Sequence, residues 1–196
     1  MRIAALPLVF ASLTVSLGAL AGDMVINDSG EASLGIDGWN SSSLSLGIFG
    51  PGWSLKSQGA ATVVTPTGSG SSWTYSGKIS ILNAGTSELL YTQKVSALNA
   101  TTVRFQYDFS FAKVPSGTKI ESLFVSASLP VSTFGGKSVT ITGQAAPLVL
   151  PAEYGKTSVF SGSSKGFTAS FPGTGEWSMQ SGTAVPLVIQ DDRAFS

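Results

Sequence analysis

The sequence contains neither cysteine nor histidine, and its 11 basic residues are balanced by 11 acidic ones. Without cysteine no disulfide framework can form, so a stable domain must be held by its own core. Without histidine there is no Ser-His-Asp or Cys-His nucleophile system, no imidazole base and no histidine-bound zinc. The sparse, balanced charge gives no basic stripe, which argues against nucleic acid as a partner.

The N-terminus has the pattern of a secretory signal peptide. Arg2 precedes an apolar stretch from Ala4 to Leu20, and residues 19–21 have the small-x-small form that signal peptidases accept. The stretch is shorter than the ~20 apolar residues that span a bilayer. Polar or helix-breaking residues interrupt it at Pro7, Ser12, Thr14, Ser16 and Gly18. We predict cleavage after Ala21, a mature domain without a membrane anchor, and an extracellular or periplasmic location.

The clearest secondary-structure signal lies in residues 103–111, where apolar and polar residues alternate strictly. Because successive side chains of a strand point to opposite faces, this pattern predicts a half-buried strand. A second alternating run, 121–129, follows the turn sequence of residues 115–118. Together the two runs predict an antiparallel hairpin.

The rest of the chain predicts further short strands, separated by turns rich in glycine, proline and serine. They are expected at 43–49, 61–65, 78–82, 88–95, 138–142, 147–150, 157–160, 165–171, 177–180 and 184–190. Breaks about every ten residues, without a long helical period, indicate an all-β fold. We predict an antiparallel two-sheet β-sandwich, supersandwich-like, of about ten or more short strands. It should form one domain over residues 22–196.

The C-terminal segment bears on the extent of the protein. Residues 185–189 are mostly apolar on both faces, and the polar residues 190–193 are followed by Phe195. A polar turn before an aromatic residue usually begins another strand. Two interpretations stay open: a complete domain, or the N-terminal part of a longer protein.

Tryptophan gives the most suggestive functional signal. Trp39, Trp53 and Trp73 stand beside glycine and serine in predicted turns or strand ends, and Asp37 and Asn40 flank the first of them. A tryptophan presents a flat apolar face, on which the C–H face of a sugar ring can stack. These five residues predict a carbohydrate-binding surface. The alternatives are packing at the ends of the sheets for each tryptophan, and a plain turn at Asp37.

Catalysis without histidine or cysteine would depend on carboxylates, as in glycosidases, which use a pair of them. The candidates are Asp37, Asp108, Glu121, Glu153 and Glu176. Nothing distinguishes one from another, and Asp108 shares a strand face with Arg104, which favours a surface ion pair. Residues 191–192 lack the spacing of an EF-hand loop, so an internal ion pair with Arg193 is favoured over calcium. We predict no catalytic residue, no metal and no cofactor.

A series of motifs in the second half of the chain carries a resemblance. They are the aromatic strand 103–111 and the segments 126–136, 150–155, 160–162 and 189–193. In this order they resemble the N-terminal β-sandwich region of large secreted bacterial proteins with glycoside-hydrolase-like architecture, in which the sandwich precedes a separate catalytic domain. The resemblance implies an accessory role, with polysaccharide and a C-terminal catalytic domain as partners, and it implies no catalytic residue here.

These observations lead to a ranked expectation of function. The first hypothesis is a secreted, non-catalytic module of a bacterium that binds carbohydrate or supports a polysaccharide-degrading enzyme. The second is a structural or adhesive surface protein that assembles through the edges of its sheets. A carboxylate-based glycosidase complete within these residues ranks last.

Overall fold

The computed structural model describes residues 9–17, 22–36, 39–82, 87–99, 102–171 and 175–195. Within them the chain forms fourteen strands, one short helix, α1 (Val131–Phe134), and short 3-10 turns at Pro51–Trp53, Gln58–Ala60 and Asp192–Phe195. This confirms the predicted all-β class. No helix in this part of the chain is long and apolar enough to cross a membrane.

The strands are named here in chain order. They are β1 (Val9–Leu17), β2 (Gly22–Ile26), β3 (Ala32–Ile36), β4 (Trp39–Phe49), β5 (Leu55–Ser57), β6 (Thr62–Ser69), β7 (Ser72–Ser80), β8 (Glu88–Asn99), β9 (Thr102–Ala112), β10 (Ser122–Ala127), β11 (Ser138–Ile141), β12 (Leu148–Val149), β13 (Ser158–Phe171) and β14 (Gly175–Gln190). A nine-stranded antiparallel sheet has the order β12-β11-β13-β14-β1-β9-β8-β7-β6. A five-stranded sheet has the order β10-β4-β3-β2, with β5 beside β4.

An apolar core joins residues of both sheets. The nine-stranded sheet contributes alternate residues of neighbouring strands, and the five-stranded sheet contributes a row from β4. The fully buried members include Ile79, Leu89, Phe105 and Tyr107 from the first and Leu44, Leu46 and Ile48 from the second. Each apolar side chain of this size contributes about 1.5–3 kcal/mol on burial. The alternation in the sequence therefore marks the faces that carry the core.

The predicted hairpin of residues 103–111 and 121–129 is wrong. β9 lies between β1 and β8 in the nine-stranded sheet, whereas β10 pairs with β4 in the other sheet. The turn at residues 115–118 exists, since the Thr118 N–H donates to the Pro115 carbonyl at 3.1 Å. The connection from β9 to β10 is longer than the roughly two to five residues of hairpin loops, and it carries the chain between sheets.

Two long strands replace four predicted short ones, because residues predicted to form turns lie inside strands. The predicted break at 161–164 is part of β13, where the register shifts between Ser164 and Gly166. Gly166 has a φ of +143°, and a Cβ on it would overlap the Met179 carbonyl oxygen. The glycine therefore marks a bulge with close backbone approach rather than a turn.

The first strand lies within the predicted signal peptide. β1 pairs antiparallel with β9 on one side and with β14 on the other. The predicted cleavage site at Ala21 lies outside the described residues, and cleavage there stays a prediction. β2 and β3, which the sequence pattern does not indicate, form a hairpin that continues into β4.

Candidate functional site

The predicted binding residues of the five-stranded sheet are distributed along the length of β4. Trp39 and Asn40 begin this strand and pair with Ile36 and Gly35 of β3, while Asp37 lies outside the described residues. Trp53 follows the other end of the strand. With a rise of about 3.3 Å per residue, the two ends of β4 are about 33 Å apart. The strand therefore places Trp39 and Trp53 too far apart to contact one sugar ring.

Trp73 lies in the other sheet. It stands on β7 opposite Gly68 and Val95, in the same alternating row as the buried residues Tyr75 and Ile79. Trp73 is 39% exposed, so it occupies the open end of an apolar row. This position suits packing at the end of the sheet, which is the alternative to a binding role.

Trp53 has the geometry of a displayed ring. It ends the 3-10 turn after β4, and the loop is closed by the Gly50 N–H, which donates to the Ser54 carbonyl at 3.0 Å. Its φ is +60°, a backbone conformation that is rare for a bulky residue. The residue is nevertheless 64% exposed. A strained backbone that presents an apolar ring to solvent points towards a binding role.

Two phenylalanines support this ring. Phe49 meets Trp53 edge-on, with ring centroids 5.6 Å apart, and its other ring neighbour is Phe124 at 5.2 Å. Phe124 stands opposite Gly47 in the register of β10 and β4, and a Cβ at Gly47 would lie 2.6 Å from the Phe124 ring. The glycine therefore makes room for the ring. We call Trp53, Phe49 and Phe124 the aromatic corner.

Polar groups border the aromatic corner just before β10. The Glu121 N–H donates to the Phe49 carbonyl at 2.9 Å, which places this residue beside the corner. Its carboxylate accepts from the Lys119 ammonium at 2.8 Å. Of this pair, only the Lys119 side chain is exposed. An exposed apolar ring with a hydrogen-bond donor in the neighbouring segment suits amphipathic ligands such as sugars. The sequence pattern does not indicate Phe49, Phe124 and Lys119, because their proximity depends on the pairing of β10 with β4.

A second set of polar groups lies in the core and has a structural role. The Gln58 amide donates to the Ser29 carbonyl at 2.6 Å and to the Gln93 side chain at 3.1 Å. Gln93 in turn donates to the Tyr107 hydroxyl at 2.7 Å, and the Tyr91 hydroxyl donates to the Ser29 carbonyl at 2.8 Å. Burial raises the pKa of Tyr91 to about 12 and also raises the pKa of Tyr107. We call these five residues the core network.

The predicted ion pair of Arg104 and Asp108 is not among the ion pairs that the described residues form. Both residues lie on β9, where four residues of extended strand span about 13 Å. Neighbours on one face of a strand are two residues apart, so a spacing of four, which suits a helix, does not bring these two charges together.

The acidic candidates do not stand out as a catalytic pair. Glu121 is bound by Lys119, Glu153 lies in the loop after β12, and Glu176 lies on β14. Each of the three therefore belongs to a different part of the fold. Among the residues that the structure describes, no group of three acidic side chains is placed to hold a metal ion.

The predicted ion pair of Asp191 with Arg193 is confirmed. The guanidinium donates to both carboxylate oxygens, at 2.9 and 2.6 Å, and these hydrogen bonds lower the pKa of Asp191. It also donates to the carbonyl of Ala152 at 2.8 Å and to that of Pro151 at 3.3 Å. Arg193 therefore joins segments 150–155 and 189–193, two of the motifs that carry the resemblance.

No protein family, curated protein or solved structure matches this chain. Function is therefore inferred from the geometry of the residues that the structure describes.

Proposed function

We infer that this protein is a secreted, non-catalytic β-sandwich module that binds carbohydrate as an accessory to polysaccharide degradation. The observation that carries the proposal is the exposed Trp53, held in a strained backbone conformation and supported edge-on by Phe49. The core shared by the two sheets supports a sandwich architecture. The signal-peptide pattern of residues 1–21 supports secretion.

The aromatic corner is suited to stacking because its ring is both accessible and fixed. The rings of Phe49 and Trp53 meet at an angle of 63°, and the closed loop of residues 50–54 limits the movement of the backbone. A ring that is ordered before binding loses little conformational freedom when a ligand arrives. The exposed Lys119 ammonium adds a hydrogen-bond donor for hydroxyl groups nearby. We expect the binding energy to depend mainly on Trp53.

The test is a Trp53→Ala variant assayed by affinity electrophoresis against a panel of soluble plant, algal and bacterial polysaccharides. We expect the variant to lose roughly 30-fold or more in affinity, because the truncation of a central aromatic contact commonly costs about 2 kcal/mol or more. Leu55→Ala is the matched control, since Leu55 is also exposed and apolar and lies close by in the chain. Equal affinity of the native protein and Trp53→Ala for every bound polysaccharide would exclude the aromatic corner as the site.

Secretion has a separate test. The first residue of the protein exported by its source organism, identified by mass spectrometry of its N-terminal peptide under denaturing conditions, should be Gly22. An exported chain that still contains residues 1–21 would contradict the predicted signal peptide and leave carbohydrate binding to be judged by the polysaccharide assay.

A specific observation favours assembly through sheet edges as a second candidate function. β6 pairs only with β7 among the described strands, and it exposes Val63 and Val64. An apolar edge strand is a template for pairing with another chain. Pro66 and the register shift between Val64 and Thr67 confine that template to the first residues of β6.

Light scattering after size-exclusion chromatography over a wide concentration range tests this second candidate. Assembly that Val64→Lys abolishes would support pairing through β6, because a charge at the edge opposes contact with another strand. A monomer at all concentrations would reject it.

A further inference from the structure

β1 occupies the middle of the nine-stranded sheet. It pairs with β9 from Val9 to Ser16 and with β14 from Leu13 to Leu17, in antiparallel register on both sides. Among the described strands, β1 is the only connection between the group β12-β11-β13-β14 and the group β9-β8-β7-β6. The edges of β9 and β14 therefore face each other on the two sides of β1.

The sequence of β1 matches the pattern of the strand beside it. From Ala11 to Leu17 apolar and polar residues alternate, which a signal peptide does not require. The register sets Leu13 opposite the buried Phe105 and Thr14 opposite the exposed Arg104. A shift of one residue would exchange the apolar and polar rows along the whole segment. In the observed register, the apolar positions of β1 therefore stand opposite the apolar positions of β9.

We propose that the facing edges of β9 and β14 form a peptide-binding site for an extended strand with an apolar residue at every second position, and that residues 9–17 are its occupant. The ligand class is an antiparallel peptide, recognised by backbone hydrogen bonds on both sides and by its alternating side chains. Residues 9–17 stay in this position after the chain is cleaved on their C-terminal side. Cleavage of the signal peptide from the chain therefore does not by itself remove β1 from the sheet.

The experiment starts from the full chain, produced without export, with a site-specific protease sequence inserted between Ala19 and Leu20. After cleavage, size-exclusion chromatography and native mass spectrometry should find the N-terminal fragment bound to the remainder in equal amounts. A fluorescent synthetic peptide of residues 9–17 should then exchange with it. A control peptide in which Ser12 and Leu13 trade places, as do Thr14 and Val15, should bind roughly tenfold or more weakly, because its apolar row is broken.

Three results would overturn the proposal. The fragment could separate from a remainder that keeps its far-ultraviolet spectrum, which would show that the sheet closes without β1. The control peptide could bind as tightly as the native sequence, which would show that alternation is not recognised. A dimer formed on cleavage, with the fragment released, would assign the site to a second copy of the chain.

If the cleaved protein precipitates, disulfide formation in the uncut protein tests the register of β1 against β9. The chain has no cysteine of its own, so only an introduced pair can form a disulfide. Ser12→Cys with Gln106→Cys, which are opposite in the register, should oxidise to a disulfide within the monomer. Ser12→Cys with Arg104→Cys, two residues out of register, should not, since diagonal neighbours are about 7–8 Å apart. Equal oxidation of both pairs would overturn the proposed register and with it the site.

Discussion

Two loops of the five-stranded sheet place residues in the left-handed region of backbone conformation, and they differ in what surrounds them. Loop 27–31 joins β2 to β3 and includes Gly30 at a φ of +87°, while loop 50–54 joins β4 to β5 and includes Trp53 at +60°. Gly30 is enclosed, because a Cβ there would overlap the Gln93 Oε1 atom. Gly52, beside Trp53, has no neighbour within 4 Å of such an atom.

The comparison separates a loop that serves the fold from a loop that is available to a ligand. Loop 27–31 brings the Ser29 carbonyl into the core, where it accepts from Gln58 and Tyr91. Loop 50–54 directs its largest side chain outward. The left-handed backbone conformation is therefore enclosed by packed side chains at Gly30, whereas at Trp53 it occurs in an exposed residue.

The largest expected effect comes from Gly30→Ala. The added methyl would overlap Gln93, which cannot move away because its side chain is fully buried and is bound to both Gln58 and Tyr107. We expect the free energy of unfolding to fall by about 3–5 kcal/mol, measured by urea denaturation. Gly52→Ala is the matched control and should lower it by about 1–2 kcal/mol, the cost of the left-handed conformation alone. Equal losses for the two variants would remove the contrast between the loops.

The core network should give the next largest effect. Tyr107→Phe leaves the Gln93 amide without its acceptor, and Gln93→Leu leaves the Tyr107 hydroxyl without that donor. Each variant should lose about 1–3 kcal/mol of unfolding free energy, because a buried polar group is left unsatisfied. The double variant should lose less than the sum, with a coupling of about 1 kcal/mol or more. Additive losses would mean that the hydrogen bond contributes little.

Alkaline pH should lower the stability that loop 27–31 and the core network provide, since this network contains buried tyrosine hydroxyls. The raised pKa of Tyr91 means that the folded protein favours the protonated phenol, so this contribution is fully present below about pH 10. It is lost as the pH rises towards about 12, the pKa of Tyr91 in the fold. The unfolding free energy of the native protein should fall over this interval, and that of Tyr91→Phe should fall less. Parallel pH profiles would contradict the assignment.

The smallest effect on stability is expected at Asp191, which lies between β14 and the 3-10 turn Asp192–Phe195. Its pKa is lowered by hydrogen bonds from Arg193, so the stabilisation is present above about pH 4, the ordinary pKa of aspartate. It is lost as the pH falls through the lower pKa of the folded state. Asp191→Asn should be less stable than the native protein at neutral pH, and the difference should shrink in acid, as followed by thermal unfolding. A difference that does not change with pH would point to packing alone.

Strands could be predicted from the sequence wherever one face is apolar and the other polar. Residues 103–111 coincide with most of β9, because the alternation there reflects a buried row and an exposed row. The partner of each strand could not be predicted. The turn at 115–118 is a local feature, and its sequence does not show which strand the next one pairs with. That strand, β10, pairs with β4, which lies far earlier in the chain, and Phe124 stands opposite Gly47. Pairing over such distances depends on the whole core.

The candidate site could be predicted in part. Trp53 is indicated by its glycine-rich surroundings, but its separation from Trp39 follows from the length of β4, which the sequence suggests only from residue 43. Gln93 carries a signal of its own, since it is the polar member of the row that also contains Tyr91 and Val95. A polar residue in an apolar row indicates a buried hydrogen bond, although the sequence alone does not give its partner.

The position of β1 has a consequence for the order in which the chain acquires its structure. Leu13 pairs with Ser181, a residue that the ribosome adds long after Leu13. Contacts between such distant parts of a chain form slowly and late. The centre of the nine-stranded sheet therefore stays incomplete until the first half of β14 has been synthesised. Until then the chain cannot complete this sheet, and an incompletely folded chain is the state that a secretion channel can thread.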